Sequence, residues 1–319
     1  MARMYGELAM FCGRSNRPLA EAICKELKRP LMQAEVFDFP NENIFVQLKC
    51  SVRGQDVFFV QGLSSPVNRN IVELLIFLDA LKRASAGRIT AIIPYYAYGR
   101  SDKKDQPRIA IAARLLADLI VTAGADRYMT IDLHAGQIQG FFGIPGDEFS
   151  AFPILTDYIL EKKIQDAVVV SADLGFAKKA RNFARRLDLP LAFIEKRRLG
   201  NDPTAQALTI IGDVQGKNVI WVDEEVDTAG TLVEGVDLLK QNGARKVYAI
   251  CTHAPLSPPA IDRLRNVEIE EFVCTDTIPL SPEKRLPNVK VLSVAPLLAE
   301  TIRRTHEGTS VGDYLHDTQ

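Results

Sequence analysis

Apolar residues fall along this chain in two alternating rhythms. Short apolar runs at Glu7–Cys12, Asp56–Gln61, Arg88–Pro94 and Arg127–Ile131 read as strands, and Pro18–Lys28, Pro66–Ala84 and Ile109–Ala123 between them repeat apolar positions at helical spacing. The order is βαβα. It recurs in the second half, with strands near Ala167–Ser171, Leu191–Ile194, Asn218–Val222 and Lys246–Thr252 and helices near Gly175–Leu187 and Thr228–Asn242. Each half is therefore expected to be an α/β, doubly wound parallel sheet. The stretch from Ile144 to Pro153 collects two prolines and a glycine between periodic segments and suggests the boundary. The expected division is residues 1–148, residues 149–294, and a helix and tail over 295–319, with Ala295–His306 helical and its packing partner unspecified.

Length supports that division. At 319 residues a single core is no longer the efficient solution, and the 47% hydrophobic, 25% charged composition is that of a globular chain. A net charge of −1 gives no positive field to attract nucleic acid or an anionic membrane, so neither is expected as a partner. The most apolar helical stretch, Ile71–Leu81, is interrupted by Glu73 and Asp79 and falls well short of the roughly 20 residues a bilayer requires, so no membrane span is expected. Cys12, Cys24, Cys50, Cys251 and Cys274 have neither CxxC nor zinc-site spacing and read as reduced, buried thiols. With no secretion-signal pattern at the N-terminus, a cytoplasmic location is expected.

Chemistry concentrates after Val219. The string Val-Ile-Trp-Val-Asp223-Glu224-Glu225-Val-Asp227-Thr228-Ala229-Gly230-Thr231 runs from an apolar strand through acids into small and hydroxyl residues, then into a helix. Amides of such a turn, with the Thr228 and Thr231 hydroxyls, can surround a phosphate, and carboxylates at the strand end can accept from vicinal sugar hydroxyls. Asp227-Thr228 alone would read as a helix cap. The whole string reads as a sugar-phosphate site.

Three other strings carry charge at strand ends. Tyr95-Tyr-Ala-Tyr98-Gly-Arg100-Ser101-Asp102-Lys103-Lys104-Asp105 supplies cations able to clamp a triphosphate. Thr130-Ile-Asp132-Leu-His134-Ala-Gly-Gln137 places an imidazole where it can meet metal or phosphate, although a lone histidine is more often structural. Asp173 ends one strand, and Lys196-Arg197-Arg198 ends the next with a cationic cluster, which in isolation would be an exposed basic turn.

Together these strings resemble the ribose-phosphate diphosphokinases, also called phosphoribosyl-diphosphate synthetases, over nearly the whole chain. The loop at 223–231 resembles in addition the phosphoribosyl-diphosphate loop of type I phosphoribosyltransferases. Supporting stretches include Ser51-Val-Arg53-Gly, Gly136-Gln-Ile-Gln-Gly-Phe-Phe142, Cys251-Thr-His253 and Pro296-Leu-Leu-Ala-Glu300. The resemblance implies two type I phosphoribosyltransferase-like domains and transfer of the diphosphoryl group of ATP to the 1-hydroxyl of ribose 5-phosphate, giving phosphoribosyl diphosphate and AMP, with Mg2+. It implies Lys196 and Arg198 as catalytic cations and His134 and Asp173 at magnesium. It places Phe39, Asn41, Asn43, Arg100, Ser101, Asp102, Lys104 and Asp105 at ATP. It assigns Asp223, Glu224, Asp227, Thr228, Ala229, Gly230 and Thr231 to ribose 5-phosphate, and Leu199–Gln206 to a mobile flap. It also implies a homo-oligomer, a hexamer in the family's common assembly, and a regulatory ADP or phosphate site drawing on Ser51, Arg53, Ser85, Ser310 and Val311.

The chain departs from the family pattern at several positions. Glu224 stands where a second aspartate is usual, Asn41 and Asn43 replace acids at the adenine-holding segment, Ser101 replaces glutamine, and Leu174-Gly175-Phe176 replaces a more polar run. The asparagine changes motivate an alternative, a non-catalytic regulatory paralogue that assembles with active subunits. The shared loop motivates another, a phosphoribosyltransferase, which the strings around Arg100 and His134 disfavour.

Overall fold

The structure, a computed structural model, describes residues 5–171, 174–198, 206–312 and 314, with backbone alone at 174, 196–198 and 206–208. The chain divides into two compact units, one of residues 1–150, 277–279 and 293–319, the other of 151–276 and 280–292.

In the first unit β1 (Leu8–Cys12) leads through α1 (Arg17–Leu27) to a separate antiparallel hairpin, β2 (Ala34–Asp38) and β3 (Ile44–Leu48). Next come β4 (Asp56–Val60), α2 (Val67–Arg83), β5 (Arg88–Ile93), α3 (Ala112–Ala123), β6 (Arg127–Ile131) and β7 (Gly146–Phe149). The sheet order is β1-β4-β5-β6-β7, all parallel. After α1 the chain returns beside the opposite edge of β1, where Met32 N–H donates to Met10 O at 2.8 Å and Leu31 bridges Met10 in parallel. The winding therefore starts one way and then reverses, and right-handed crossovers in opposite directions put helices on opposite faces. Strand alternation carries this through. Phe11 and Phe59 pack on Phe77 of α2, while Met10 and Phe58, also fully buried, point the other way. The reversal point lies between the ends of β1 and β4.

The second unit contains α4 (Phe152–Lys162), β8 (Ala167–Ser171), α5 (Ala177–Leu187), β9 (Leu191–Arg198), β10 (Gln206–Ile211) and β11 (Asn218–Glu225). It continues with α6 (Gly230–Gln241), β12 (Val247–His253), α7 (Ala260–Asn266), β13 (Glu271–Thr275) and β14 (Val289–Leu292). Its order is β10-β9-β8-β11-β12-β13-β14, parallel apart from the antiparallel β9–β10 pair. Val168, Val170, Val219, Trp221 and Ala249 form one core with α6 and α7; Val169, Ile220, Val222 and Ile250 form the other with α4 and α5. Trp221 dictates a glycine on α6, because a Cβ at Gly235 would lie 2.3 Å from its ring. The winding reverses here between β8 and β11. Both sheets are thus doubly wound, as expected, in the phosphoribosyltransferase-like arrangement.

The last helix, α8 (Ala295–Glu307), belongs to the first unit and lies against α1. It is fastened at its end. Buried Asp56 accepts from Arg88 Nε and Nη2 at 2.8 and 2.6 Å and sits 2.8 Å from His306 Nδ1, while Arg88 also donates to Thr305 O at 3.1 Å. The stretch from Ile144 to Pro153 is no plain linker, since it contains β7. Among the described residues no helix is long and apolar enough to cross a membrane.

Candidate active site

Ligands of doubly wound sheets bind beyond the strand ends at the reversal point, and in the second unit that position is where β11 delivers Asp223, Glu224 and Glu225. β11 runs further than the sequence pattern suggested, continuing through these acids to Glu225, which pairs in register with His253. Val226 N–H then donates to His253 O at 2.9 Å, so the turn leaves the sheet from a fixed point.

Ala229, at φ 59°, occupies the left-handed region and starts α6 without a side-chain cap. A helix opened this way directs its first amides outward and concentrates positive dipole there, which suits a phosphate. Thr228 and Thr231 are exposed beside it, and Asp223 and Asp227 are half-buried. Glu224, by contrast, is buried, with Lys179 of α5 3.7 Å from its carboxylate. The methylene that distinguishes it from the usual aspartate thus carries the charge toward a cation on α5.

No motif marked Arg263. From α7 its Nη1 donates to Thr228 O at 2.8 Å, and it lies against Gly230, 3.2 Å from where a Cβ would be. Nothing local in the sequence signals that contact across 35 residues.

In the first unit the strings at 95–105 and 132–137 meet. Tyr98 takes a positive φ of 60°, its hydroxyl donates to Asn68 Oδ1 at 2.7 Å, and Ser101 N–H donates to Tyr98 O at 2.8 Å, closing the turn. A Cβ at Gly99 would sit 3.3 Å from His134 Cβ, so the two loops touch there. Buried Asp102 accepts from Gln137 Nε2, which gives its carboxylate an internal task rather than an outward one. Arg100, Lys103, Lys104, Asp105 and His134 are exposed. Asp132, at the end of β6 with φ 39°, accepts from Ser150 Oγ at 2.9 Å.

Phe39, Asn41 and Asn43 lie on the turn joining β2 to β3. Phe39 N–H donates to Asn43 O and Glu42 N–H to Phe39 O, both at 2.8 Å, and Asn43 N–H donates to Asn41 Oδ1 at 3.3 Å. Phe37, Phe39 and Phe45 cluster on one side of the hairpin with ring centroids 4.8–5.9 Å apart.

Asp173 and the flap segment 199–205 lie outside the described residues. Of Lys196, Arg198 and Gln206 only the backbone is described. There β9 continues through the basic cluster, with Lys196 paired to Leu208 and Arg198 to Gln206, so the cluster stands on a strand and not on a turn. Arg53 and Ser85 come together through their backbones: Arg53 bridges Ala86, and Gly54 N–H donates to Ser85 O at 2.8 Å.

Residues 8–124 match the model for the N-terminal domain of ribose phosphate pyrophosphokinase, and residues 200–316 match that for the phosphoribosyl synthetase-associated domain. The chain is 51% identical to a ribose-phosphate pyrophosphokinase of Caldanaerobacter subterraneus subsp. tengcongensis over 98% of both chains. It is 48% identical to that of Clostridium perfringens over 97% of this chain and 98% of the relative. The crystal structure of phosphoribosylpyrophosphate synthetase from Mycobacterium smegmatis superposes with a TM-score of 0.90 at 45% identity, covering 95% of this chain and all of that one. The chain belongs to the ribose-phosphate pyrophosphokinase family.

Proposed function

We propose that this chain transfers the diphosphoryl group of ATP to the 1-hydroxyl of ribose 5-phosphate, releasing AMP and phosphoribosyl diphosphate. The observation that carries the reading is the loop at 223–231. It sits at the reversal point of the second sheet, with an uncapped helix start for the 5-phosphate and strand-end carboxylates for the ribose hydroxyls. In this reading Asp223 and Asp227 accept from the ribose hydroxyls, while the amides of 229–231 and the Thr228 and Thr231 hydroxyls hold the phosphate. Glu224, drawn toward Lys179, reaches the sugar less directly.

ATP is assigned to Arg100, Ser101, Lys104 and Asp105, with Asp102 holding the loop and Phe39, Asn41 and Asn43 facing the base. Asparagine offers both a donor and an acceptor to an adenine edge. Lys196 and Arg198 are assigned to the charge that develops on the transferring group, where electrostatic stabilisation outweighs any need for a strong base. His134 and Asp173 are the assigned magnesium residues. One imidazole and one carboxylate suit a magnesium held mainly by substrate phosphates and water. When bound, that ion neutralises phosphate charge.

The reading extends to a homo-oligomer, hexameric by resemblance to the family, and to a cytoplasmic location, supported by five free cysteines. A regulatory ADP or phosphate site is proposed at Ser51, Arg53, Ser85, Ser310 and Val311, supported by the backbone contacts that join Arg53 and Ser85.

The test is product formation by the purified chain with magnesium, ribose 5-phosphate and a panel of nucleoside triphosphates. Matched AMP and phosphoribosyl diphosphate from ATP are expected. Failure to turn over with any of the donors would favour the regulatory paralogue, and preference for another nucleotide would trace to Asn41 and Asn43.

A further inference from the structure

The hairpin turn bearing Phe39, Asn41 and Asn43 is not held by burial, since Phe39 is 44% exposed. Besides its own hydrogen bonds, the turn has an ionic restraint one residue away. Asp38, the last residue of β2, accepts from Arg14 Nη2 at 2.8 Å and Nη1 at 3.2 Å, and from Arg69 of α2. Arg14 is itself fixed. Its Nε donates to Glu73 Oε2 at 2.7 Å and its backbone N–H to Glu73 Oε1 at 2.6 Å, with Glu73 fully buried on α2. Gln61 Nε2 donates to Glu73 Oε1 at 3.4 Å, and Ser15 Oγ donates to Gln61 Oε1 at 2.9 Å. The packing leaves no room beside Arg14, because a Cβ at Gly13 would lie 2.2 Å from Gln61 Oε1 and 2.6 Å from Glu73 Oε1.

The chain of contacts thus runs from the buried reversal point of the first sheet, through Glu73 and Arg14, to the base of an exposed turn. Alternation along β2 sets Asp38 on the face opposite Phe37 and Phe39, so the clamp leaves the aromatic side clear. A bidentate guanidinium–carboxylate pair fixes orientation as well as distance. Arg14 holds the Asp38 carboxyl below the usual carboxylate range, so the pair stays charged at neutral pH.

We propose that Asp38 is a positioning residue for nucleotide binding: clamped by Arg14 and Arg69, it pre-orients the turn that presents Phe39, Asn41 and Asn43 to the ATP base. The proposal rests on the assignment of that turn to ATP. Restricting the turn before ATP arrives removes an ordering cost from binding, so the clamp acts on nucleotide affinity and not on ribose 5-phosphate or on the chemical step.

The experiment compares Asp38→Asn, Asp38→Glu and Phe39→Ala in the full-length purified chain, measuring kcat, KM for each substrate and calorimetric ATP affinity. Asp38→Asn keeps the Arg14–Glu73 pair. It is expected to weaken ATP binding and raise its KM ~10-fold, with kcat and KM for ribose 5-phosphate within ~2-fold of the parent. Asp38→Glu, which retains the charge, is expected to recover most of the loss, a rescue that a merely structural role would not show. Unchanged ATP affinity in Asp38→Asn alongside weakened affinity in Phe39→Ala overturns the clamp and leaves the nucleotide turn standing. Unchanged affinity in both refutes the turn's assignment and the clamp with it, and an equal decline in every parameter marks Asp38 as merely structural.

Discussion

Arg263 Nη1 donates to the Thr228 carbonyl oxygen at 2.8 Å, tying α7 to the loop that opens α6. A trans peptide points its N–H away from its C=O, so holding that carbonyl turns the Ala229 amide to the side opposite Arg263. The contact therefore orients the turn proposed to bind the phosphate. Arg263→Ala, losing about 1 kcal/mol of orientation, should raise KM for ribose 5-phosphate ~5-fold while leaving KM for ATP near its parent value. Steady-state kinetics with each substrate varied in turn checks this, and an equal rise in both constants would contradict it.

Lys196 is assigned to charge that exists only in the transition state. Lys196→Ala should therefore lower kcat by ~100-fold or more and change ribose 5-phosphate affinity little. Single-turnover rates with calorimetric affinity measure the two separately. An unchanged turnover number would remove Lys196 from the mechanism.

Asp56, Arg88 and His306 join β4, β5 and the end of α8 across 250 residues of sequence. Asp56→Ala leaves the Arg88 guanidinium, only 13% exposed, without its carboxylate. Breaking such a pair should destabilise the first unit by about 3 kcal/mol. Urea unfolding followed by a probe on α8 should show an earlier transition, and an unshifted midpoint would mean that apolar packing against α1 suffices to hold the helix.

These two long-range contacts mark the limit of what the sequence discloses. The 223–231 loop was legible because strand, acids, turn and helix start are contiguous, and β4 and β5 because continuous apolar runs are bounded by polar residues. The β2–β3 hairpin does not stand out as strands, since Glu35, Asp38 and Gln47 interrupt it and it packs outside the main sheet. β7 and β14 are only four residues long, and α7 only seven, just after Pro258-Pro259, too short for a period to emerge. Asp102 looked like a ligand group because charged residues surround it; only the fold shows it turned inward to Gln137. Arg263 and Asp38 act through partners brought close by folding, which no spacing rule encodes.

Burial raises the Cys12 thiol from an ordinary value of 9.0 to about 12, Cys24 to about 11 and Cys274 to about 12. Each folded value lies above the unfolded one, so the associated stability is fully present below pH 9 and is lost as pH rises through 11 to 12. Stability by urea titration should therefore fall between pH 9 and 11, and replacing Cys12 and Cys24 by alanine should flatten that slope. A slope unaffected by the replacements would assign the alkaline loss to other groups.

Diphosphoryl transfer requires that two phosphoryl units move together from ATP to the sugar. Its most direct measurement follows the β-phosphorus, using ATP labelled at that atom with ribose 5-phosphate, magnesium and the purified chain. The label should appear in phosphoribosyl diphosphate in step with unlabelled AMP; label recovered in ADP or in free diphosphate, without labelled sugar product, would contradict the account.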